Sequence, residues 1–224
     1  MADESKPEQN SEGASPVSML SSIAANGWKL AGFALLATFF IALTQLQTKE
    51  PIAEQQRKAQ LRALLEIVPA NQHDNDLLQD NIAFNDAELG LREAGKLFLA
   101  KKGGSAQTLI YPVVARDGYS GDIAMIVGVG MDGKLAGVRV LQHKETPGLG
   151  DGIETRKSDW ILDFDGKSLG NPEKARWTVK KDGGEFDGFT GATITPRAVV
   201  LAVARTLEYH EANRKRLLKQ FETE

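Results

Sequence analysis

Cysteine is absent from all 224 residues. Disulfides, thiolate nucleophiles, iron–sulfur clusters and Cys-type zinc sites are therefore excluded together. Histidine is scarce: His73, His143 and His210 lie far apart, so no metal ligand set is assigned. Positive charge is not in excess either. Against 30 Asp and Glu, 27 Lys and Arg leave a formal net charge of −3, which argues against nucleic acid as a partner. Any redox chemistry must come from a bound organic cofactor or an imported metal. Lack of cysteine suits either side of a membrane and leaves the compartment open. What is present is ordinary: 42% hydrophobic and 25% charged residues, in a chain long enough for one core-forming domain with appendages.

Residues 1–27 are polar and small, with Pro7, Ser11, Gly13, Ser15 and Pro16, and read as a disordered tail. The character then changes sharply. Between Lys29 and Lys49 lie 19 uncharged residues, LAGFALLATFFIALTQLQT. As a helix they reach roughly 28 Å, close to the ~30 Å hydrocarbon core of a bilayer. Trp28 stands where an interfacial aromatic would stand. A single transmembrane helix over 28–48 is expected. A cleaved signal peptide fits less well, because the apolar stretch is long and no small-residue cleavage site follows Leu46. A buried core helix is the other alternative, since Thr44 and Gln45 weaken the far end. Near the span, Lys29 alone lies on the N-terminal side, against Lys49, Arg57, Lys58 and Arg62 on the other. Taken literally, that bias puts the following domain in the cytoplasm.

Residues 49–224 read as one α+β domain in which helices bracket an antiparallel sheet. After the span, IAEQQRKAQLRALLEIVP, 52–69, reads as a helix with Leu61, Leu64, Leu65 and Val68 at helical spacing, stopped by Pro69. Residues 70–106 mix strand with loop. LIYPVVA, 109–115, is a strand demoted toward an edge by Pro112. Alternating runs over 122–130 and 134–142 flank Asp132-Gly133 and predict a tight hairpin. WTVKKDGGEF repeats the strand-turn pattern around 181–184. Thr195 can cap a long C-terminal helix with Pro196 at its first position, and Val200, Val203, Ala204 and Leu207 give it a core-facing stripe.

Two segments carry chemistry. DGFTGAT, 187–193, is a Gly-containing turn running straight into a helix start. Free backbone N–H groups and the helix dipole favour an anion there, phosphate included. Gly188 gives turn freedom, while Gly191 and Ala192 let the backbone approach a bulky group. A threonine hydroxyl at this spot could hydrogen-bond a phosphate or be esterified by it; an ordinary turn with Thr193 and Thr195 as capping residues reads equally from spacing. The second segment, HKETPGLGDGI over 143–153, is by composition a Gly/Pro surface loop.

DGFTGAT resembles the D-x-x-[ST]-G-A-T flavinylation motif of the FMN-binding domain family, matching at Asp187, Thr190, Gly191, Ala192 and Thr193. HKETPGLG resembles the H-x-E-T-P-G-L-G segment that lines the flavin in the same family. That family includes the G subunit of the Rnf electron-transport complexes, the nearer likeness, and the C subunit of the sodium-pumping NADH:quinone oxidoreductases. The resemblance implies FMN joined through its phosphate to Thr193 as a phosphoester, attached by a separate flavin transferase that uses FAD and Mg²⁺. Thr193 is then a tether rather than a catalytic nucleophile, and no catalytic residue is assigned. Thr190, Gly191 and Ala192 would support the phosphate, together with backbone N–H groups up to Thr195. Glu145, Thr146, Gly148 and Leu149 would form the ring and ribityl pocket. His143 could contact the flavin or be structural, Asp187 could serve transferase recognition or the turn, and Trp160 and Trp177 could stack on the ring or pack in the core.

The resemblance also implies a cytoplasmic tail, a bacterial inner-membrane span and a periplasmic domain, opposite to the charge bias. Partners would be the other membrane and iron–sulfur subunits of an ion-translocating ferredoxin:NAD oxidoreductase. The chain would then be an electron-transfer subunit and not a complete enzyme alone. The ion path would lie in other subunits, because one uncharged span cannot form it. The C subunit of a sodium-pumping NADH:quinone oxidoreductase, a membrane sensor and an unflavinylated assembly protein, all built on the same domain, are the alternatives.

Overall fold

The computed structural model describes residues 16–223. The chain divides into two compact units, Met1–Gln56 and Arg57–Glu224. Of the tail expected over 1–27, residues 1–15 lie outside the described residues, and from Pro16 the chain is helical. Helix α1 (Pro16–Ile67) has 52 residues and continues through Pro51. The sequence reading is corrected on both points, since it kept 16–27 unfolded and started a separate helix after Pro51. Proline suits a first helical position, and a nucleated helix extends at little cost, so the serines and Gly27 do not stop it. At Pro51 one backbone hydrogen bond is forgone. Within α1, Asn26–Pro51 is long and apolar enough to cross a membrane, with mean hydropathy 1.7. The Thr44 and Thr48 hydroxyls donate to the carbonyls of Phe40 and Thr44, both at 2.8 Å, and so are satisfied inside the helix.

In the second unit five strands make one antiparallel sheet in chain order. They are β1 (Asn81–Phe84), β2 (Gly95–Lys102), β3 (Ser105–Gly118), β4 (Gly121–Gly130) and β5 (Leu135–Gln142). The predicted hairpin is β4–β5. Gly133, at φ 81°, donates to the Gly130 carbonyl at 2.9 Å, and Asp132 Oδ1 accepts from the Lys134 N–H at 3.1 Å. Alternate residues of β3 serve two cores. Leu109, Tyr111 and Val113 pack with helix α2 (Ile194–Thr223), and Ile110 packs on the other face with Leu64 and Ile67 of α1 and with Val68 just past it. Helices therefore bracket the sheet, as expected. The seat for the end of α1 is opened by glycines. Gly128 and Gly137 pair across β4 and β5, and a Cβ on Gly128 would stand 2.3 Å from Ile67 Cγ2. Burying a side chain of this size stabilises the unit by about 1.5–3 kcal/mol.

Pro112 does not make β3 an edge strand, because β3 lies between β2 and β4. The last β2–β3 pair on that side is Phe98↔Ile110, so Pro112 sits just beyond the ladder and pairs only with Ile126 of β4. Its missing N–H is thus accommodated by ending one ladder early. The strand-turn expected over 177–186 is replaced by a 3₁₀ turn, Lys180–Asp182, and a single parallel bridge, Val179↔Phe186. The fold-back is too tight for a ladder: a Cβ on Gly184 would stand 1.9 Å from the Thr178 carbonyl oxygen.

Candidate functional site

Residues 151–192 contain short 3₁₀ turns and isolated bridges, held by an aromatic cluster. Phe164 and Phe186 stack at 4.6 Å, Trp177 lies 5.1 Å from Phe186, and Trp160 meets Phe164 and Phe189 edge-on at 5.4 and 5.2 Å. Each such contact adds about 0.5–1.5 kcal/mol beyond burial. Trp160 and Trp177 are core residues, which decides between the two readings given for them. Trp160 also fixes the 187–193 segment, because its Nε1–H donates to the Asp187 carbonyl at 2.8 Å. Phe189 is wedged between Trp160 and Gly152, where a Cβ would come within 3.0 Å of the Phe189 ring.

From this anchor the chain turns. Ala192 N–H donates to the Phe189 carbonyl at 3.0 Å, and Gly191, third in that turn, has φ 81°. Only glycine takes that conformation at little cost. Helix α2 then begins at Ile194, and the Thr193 carbonyl accepts from Arg197 N–H at 3.3 Å. Thr193 is thus the residue at the cap. Thr195 is not the cap, as the sequence suggested; it is fully buried in the first turn, and its hydroxyl donates to Glu145 Oε2. Among the described residues, the N–H groups of Thr193, Ile194 and Thr195 have no backbone acceptor. Ala192 N–H, which the sequence reading counted among free donors, is spent on the turn.

The loop over 143–150 meets this helix start from the end of β5. Glu145 is 4% exposed. Its Oε1 accepts from Ser120 N–H at 2.9 Å, and its Oε2 takes the Thr195 hydroxyl. His143 Nδ1 accepts from Glu145 N–H at 3.1 Å, so the proton of the neutral ring is on Nε2, which donates to Glu154 Oε1 at 2.7 Å. Hydrogen bonds from His143 and Arg156 hold the Glu154 carboxyl below the usual carboxylate range. Gly148, at φ 77°, donates to Asp151 Oδ1 at 2.8 Å. Burial opposes charge on Asp151, but this bond and Lys157 outweigh it and keep its pKa low.

Both segments face one cavity of about 370 Å³, inside the roughly 300–1,000 Å³ range of small-molecule sites. Of the expected site residues, Thr193, Gly191, Ala192, Glu145, Thr146 and Leu149 line it. Thr190 and Gly148 do not. Thr190 is exposed on the turn, and Gly148 acts through its backbone. Gly150, Ile194 and Thr195, from the same two segments, line it as well, and so does Tyr119, which was not foreseen. The rim is apolar and open, with Tyr119 69%, Leu149 48% and Ile194 44% exposed. Isolated apolar side chains on a surface mean little; three around one cavity mark a binding surface. A second cavity of about 480 Å³ borders His143. Two ion pairs lie within it, Arg139 with Glu66 at 2.9 Å and Arg156 with Glu154 at 2.7 Å.

Residues 118–208 match the family model of the FMN-binding domain, and residues 19–67 match that of the RnfG N-terminal region. The first match opens at the turn that carries Tyr119 and contains every residue lining the 370 Å³ cavity. The G subunit of the ion-translocating oxidoreductase complex of Pseudomonas aeruginosa is 52% identical over 194 residues, 86% of this chain and 91% of that protein. The chain belongs to this G-subunit family. The corresponding proteins of Shewanella amazonensis and Vibrio cholerae are 50% and 45% identical, over 87% and 90% of this chain and 91% and 97% of theirs. The N-terminal match ends at Ile67, the last residue of α1.

Proposed function

We propose that this chain is the membrane-anchored flavoprotein subunit of an ion-translocating ferredoxin:NAD oxidoreductase, with FMN joined through its phosphate to Thr193. One observation carries the reading: two segments far apart in sequence close on a single cavity at the start of α2, with Thr193 on its wall. The residues there suit FMN. Unpaired N–H groups of Thr193, Ile194 and Thr195 at a helix start suit a phosphate. Tyr119, Leu149 and Ile194 offer apolar surface to a flat ring, and Thr146 offers a hydroxyl. Gly191 and Ala192 let the ester sit close to the backbone, Thr190 lies beside them on the turn, and Glu145 and Gly148 shape the facing wall.

Bound FMN would accept and pass on one or two electrons. The chain's part is to hold it at a fixed distance from the neighbouring iron–sulfur and membrane subunits. A phosphoester removes dissociation from the problem. A flavin transferase would make it from FAD: the Thr193 oxygen bonds to the flavin-side phosphorus, the pyrophosphate link breaks, AMP leaves, and the hydroxyl proton passes to solvent. The sequence resemblance supports a span over 28–48 in a bacterial inner membrane, a cytoplasmic tail over 1–27 and a periplasmic domain over 49–224. Intact mass after co-expression with the transferase tests the centre of the proposal. Wild type gains the mass of FMN minus water and gives a fluorescent band on a denaturing gel, and Thr193→Val shows neither. A wild-type chain without the adduct overturns it.

A further inference from the structure

The carboxylate of Glu145 stands at the junction of three chain segments that are remote in sequence. Its Oε1 takes the N–H of Ser120, in the turn between β3 and β4. Its Oε2 takes the hydroxyl of Thr195, in the first turn of α2. Its own N–H is held by His143 Nδ1, and His143 is held in turn by Glu154. Space around the carboxylate is closed by backbone. A Cβ on Gly118 would come within 2.9 Å of Oε1, and one on Gly150 within 2.9 Å of Oε2 and 3.0 Å of Thr195 Oγ1. A side chain that is buried, doubly bonded and enclosed by glycines has one orientation and no freedom to reach a ligand by itself. Thr195 lies two residues beyond Thr193, so whatever fixes Thr195 fixes the presentation of Thr193.

We infer that Glu145 is a positioning residue, a clamp that binds the 118–121 turn, the 143–150 loop and the start of α2 into one preset unit and so presents the Thr193 hydroxyl for attachment. This rests on the reading of Thr193 as the flavin site. The clamp acts through geometry and not through charge. An amide fits the same place: its oxygen accepts from Ser120 N–H, and its NH₂ donates to Thr195 Oγ1, which turns its own proton away. Glu145→Gln therefore keeps both links, Glu145→Ala loses both, and Thr195→Val loses one with almost no change of shape.

The test uses the full chain in membranes, co-expressed with flavin transferase and sampled over time. Flavin attachment is read by intact mass, and amide hydrogen exchange is read on the same chains before attachment. Misplacing a reacting group by about 1 Å can cost up to about 100-fold, so Glu145→Ala and Thr195→Val should take up flavin on the order of 10- to 100-fold more slowly. Both should lose exchange protection over 143–150 and 191–197 together. Glu145→Gln should stay close to wild type in both measurements. Slow attachment in Glu145→Gln with protection retained means that the charge acts directly, and the clamp is overturned. Wild-type rates in all three variants also overturn it. Should Glu145→Ala fail to fold, Thr195→Val and Glu145→Gln still decide. If wild type takes up no flavin, the Thr193 reading fails separately. Hydrogen exchange then judges the clamp: unchanged protection in Thr195→Val overturns it, and joint loss across both segments upholds it.

Discussion

The Tyr111 hydroxyl lies 2.9 Å from His210 Nδ1 inside the core, and the other ring nitrogen of His210 has no partner among the described residues. One link of a buried imidazole is therefore made and one is left open, between the centre of β3 and the middle of α2. Burial raises the Tyr111 pKa far above its ordinary value, so the phenol stays protonated. Burial, helped by the positive charge of Arg214 and partly opposed by Asp132, lowers the His210 pKa from 6.5 to about 4.

That shift makes stability depend on pH in a defined window. The folded state holds the ring neutral, while the unfolded chain protonates it near 6.5. Its contribution is whole above 6.5 and is lost as pH falls toward about 4, where the folded ring titrates as well. The full span is worth about 3 kcal/mol. His210→Asn keeps an acceptor near Nδ1 and removes the titration. Thermal unfolding of the detergent-solubilised chain should show wild type losing stability from pH 7 to 4.5 more steeply than His210→Asn. The variant should be the less stable of the two at pH 7.5. Equal slopes would show that another group carries the dependence.

The parts of the site that could be read from sequence are those written within one short segment. DGFTGAT and HKETPGLG each place several specified residues on a continuous stretch, and the Asp132-Gly133 turn is local to its hairpin. What could not be read arises from pairing across distance. Thr195 looked like a cap because a threonine before a proline is a local signal, yet its partner Glu145 is 50 residues away. Tyr119 reaches the cavity only because the register of β3 and β4 delivers their turn there. Pro112 was a sound edge signal for a residue, but it was applied to a whole strand. Ile67 fell outside the expected stripe of Leu61, Leu64, Leu65 and Val68, although it is the side chain seated on the sheet.

That seat gives a second prediction. Gly128→Ala puts a methyl group 2.3 Å from Ile67 Cγ2, with Ala136 Cβ 3.4 Å and Thr108 Cγ2 3.6 Å from it. Overpacking of this kind destabilises by about 1–3 kcal/mol. Ile67→Ala alone leaves a cavity and costs about 2–5 kcal/mol. Together the two changes should cost clearly less than their sum, because the added methyl enters the space the isoleucine leaves. Unfolding midpoints of the two single variants and the double variant measure this. Strict additivity would mean that the glycine pair does not form the seat.

The side of the membrane on which the domain stands is contested by two signals, which makes it the most informative property to measure. Lys49, Arg57, Lys58 and Arg62 outweigh Lys29 and favour a cytoplasmic domain, whereas the resemblance favours a periplasmic one. Glu50 and Glu54 interleave with the basic residues, but the positive-inside rule counts Lys and Arg and gives acidic residues little weight, so they do not cancel the bias. The absence of native cysteine makes the measurement clean, since any introduced thiol is the only one in the chain. Lys215→Cys lies on an exposed position of α2, and Ser11→Cys lies ahead of the span. In spheroplasts a membrane-impermeant maleimide should label the cysteine at 215 directly and the one at 11 only after lysis. The reverse pattern would place the domain in the cytoplasm, and the charge bias, not the resemblance, would then describe this chain.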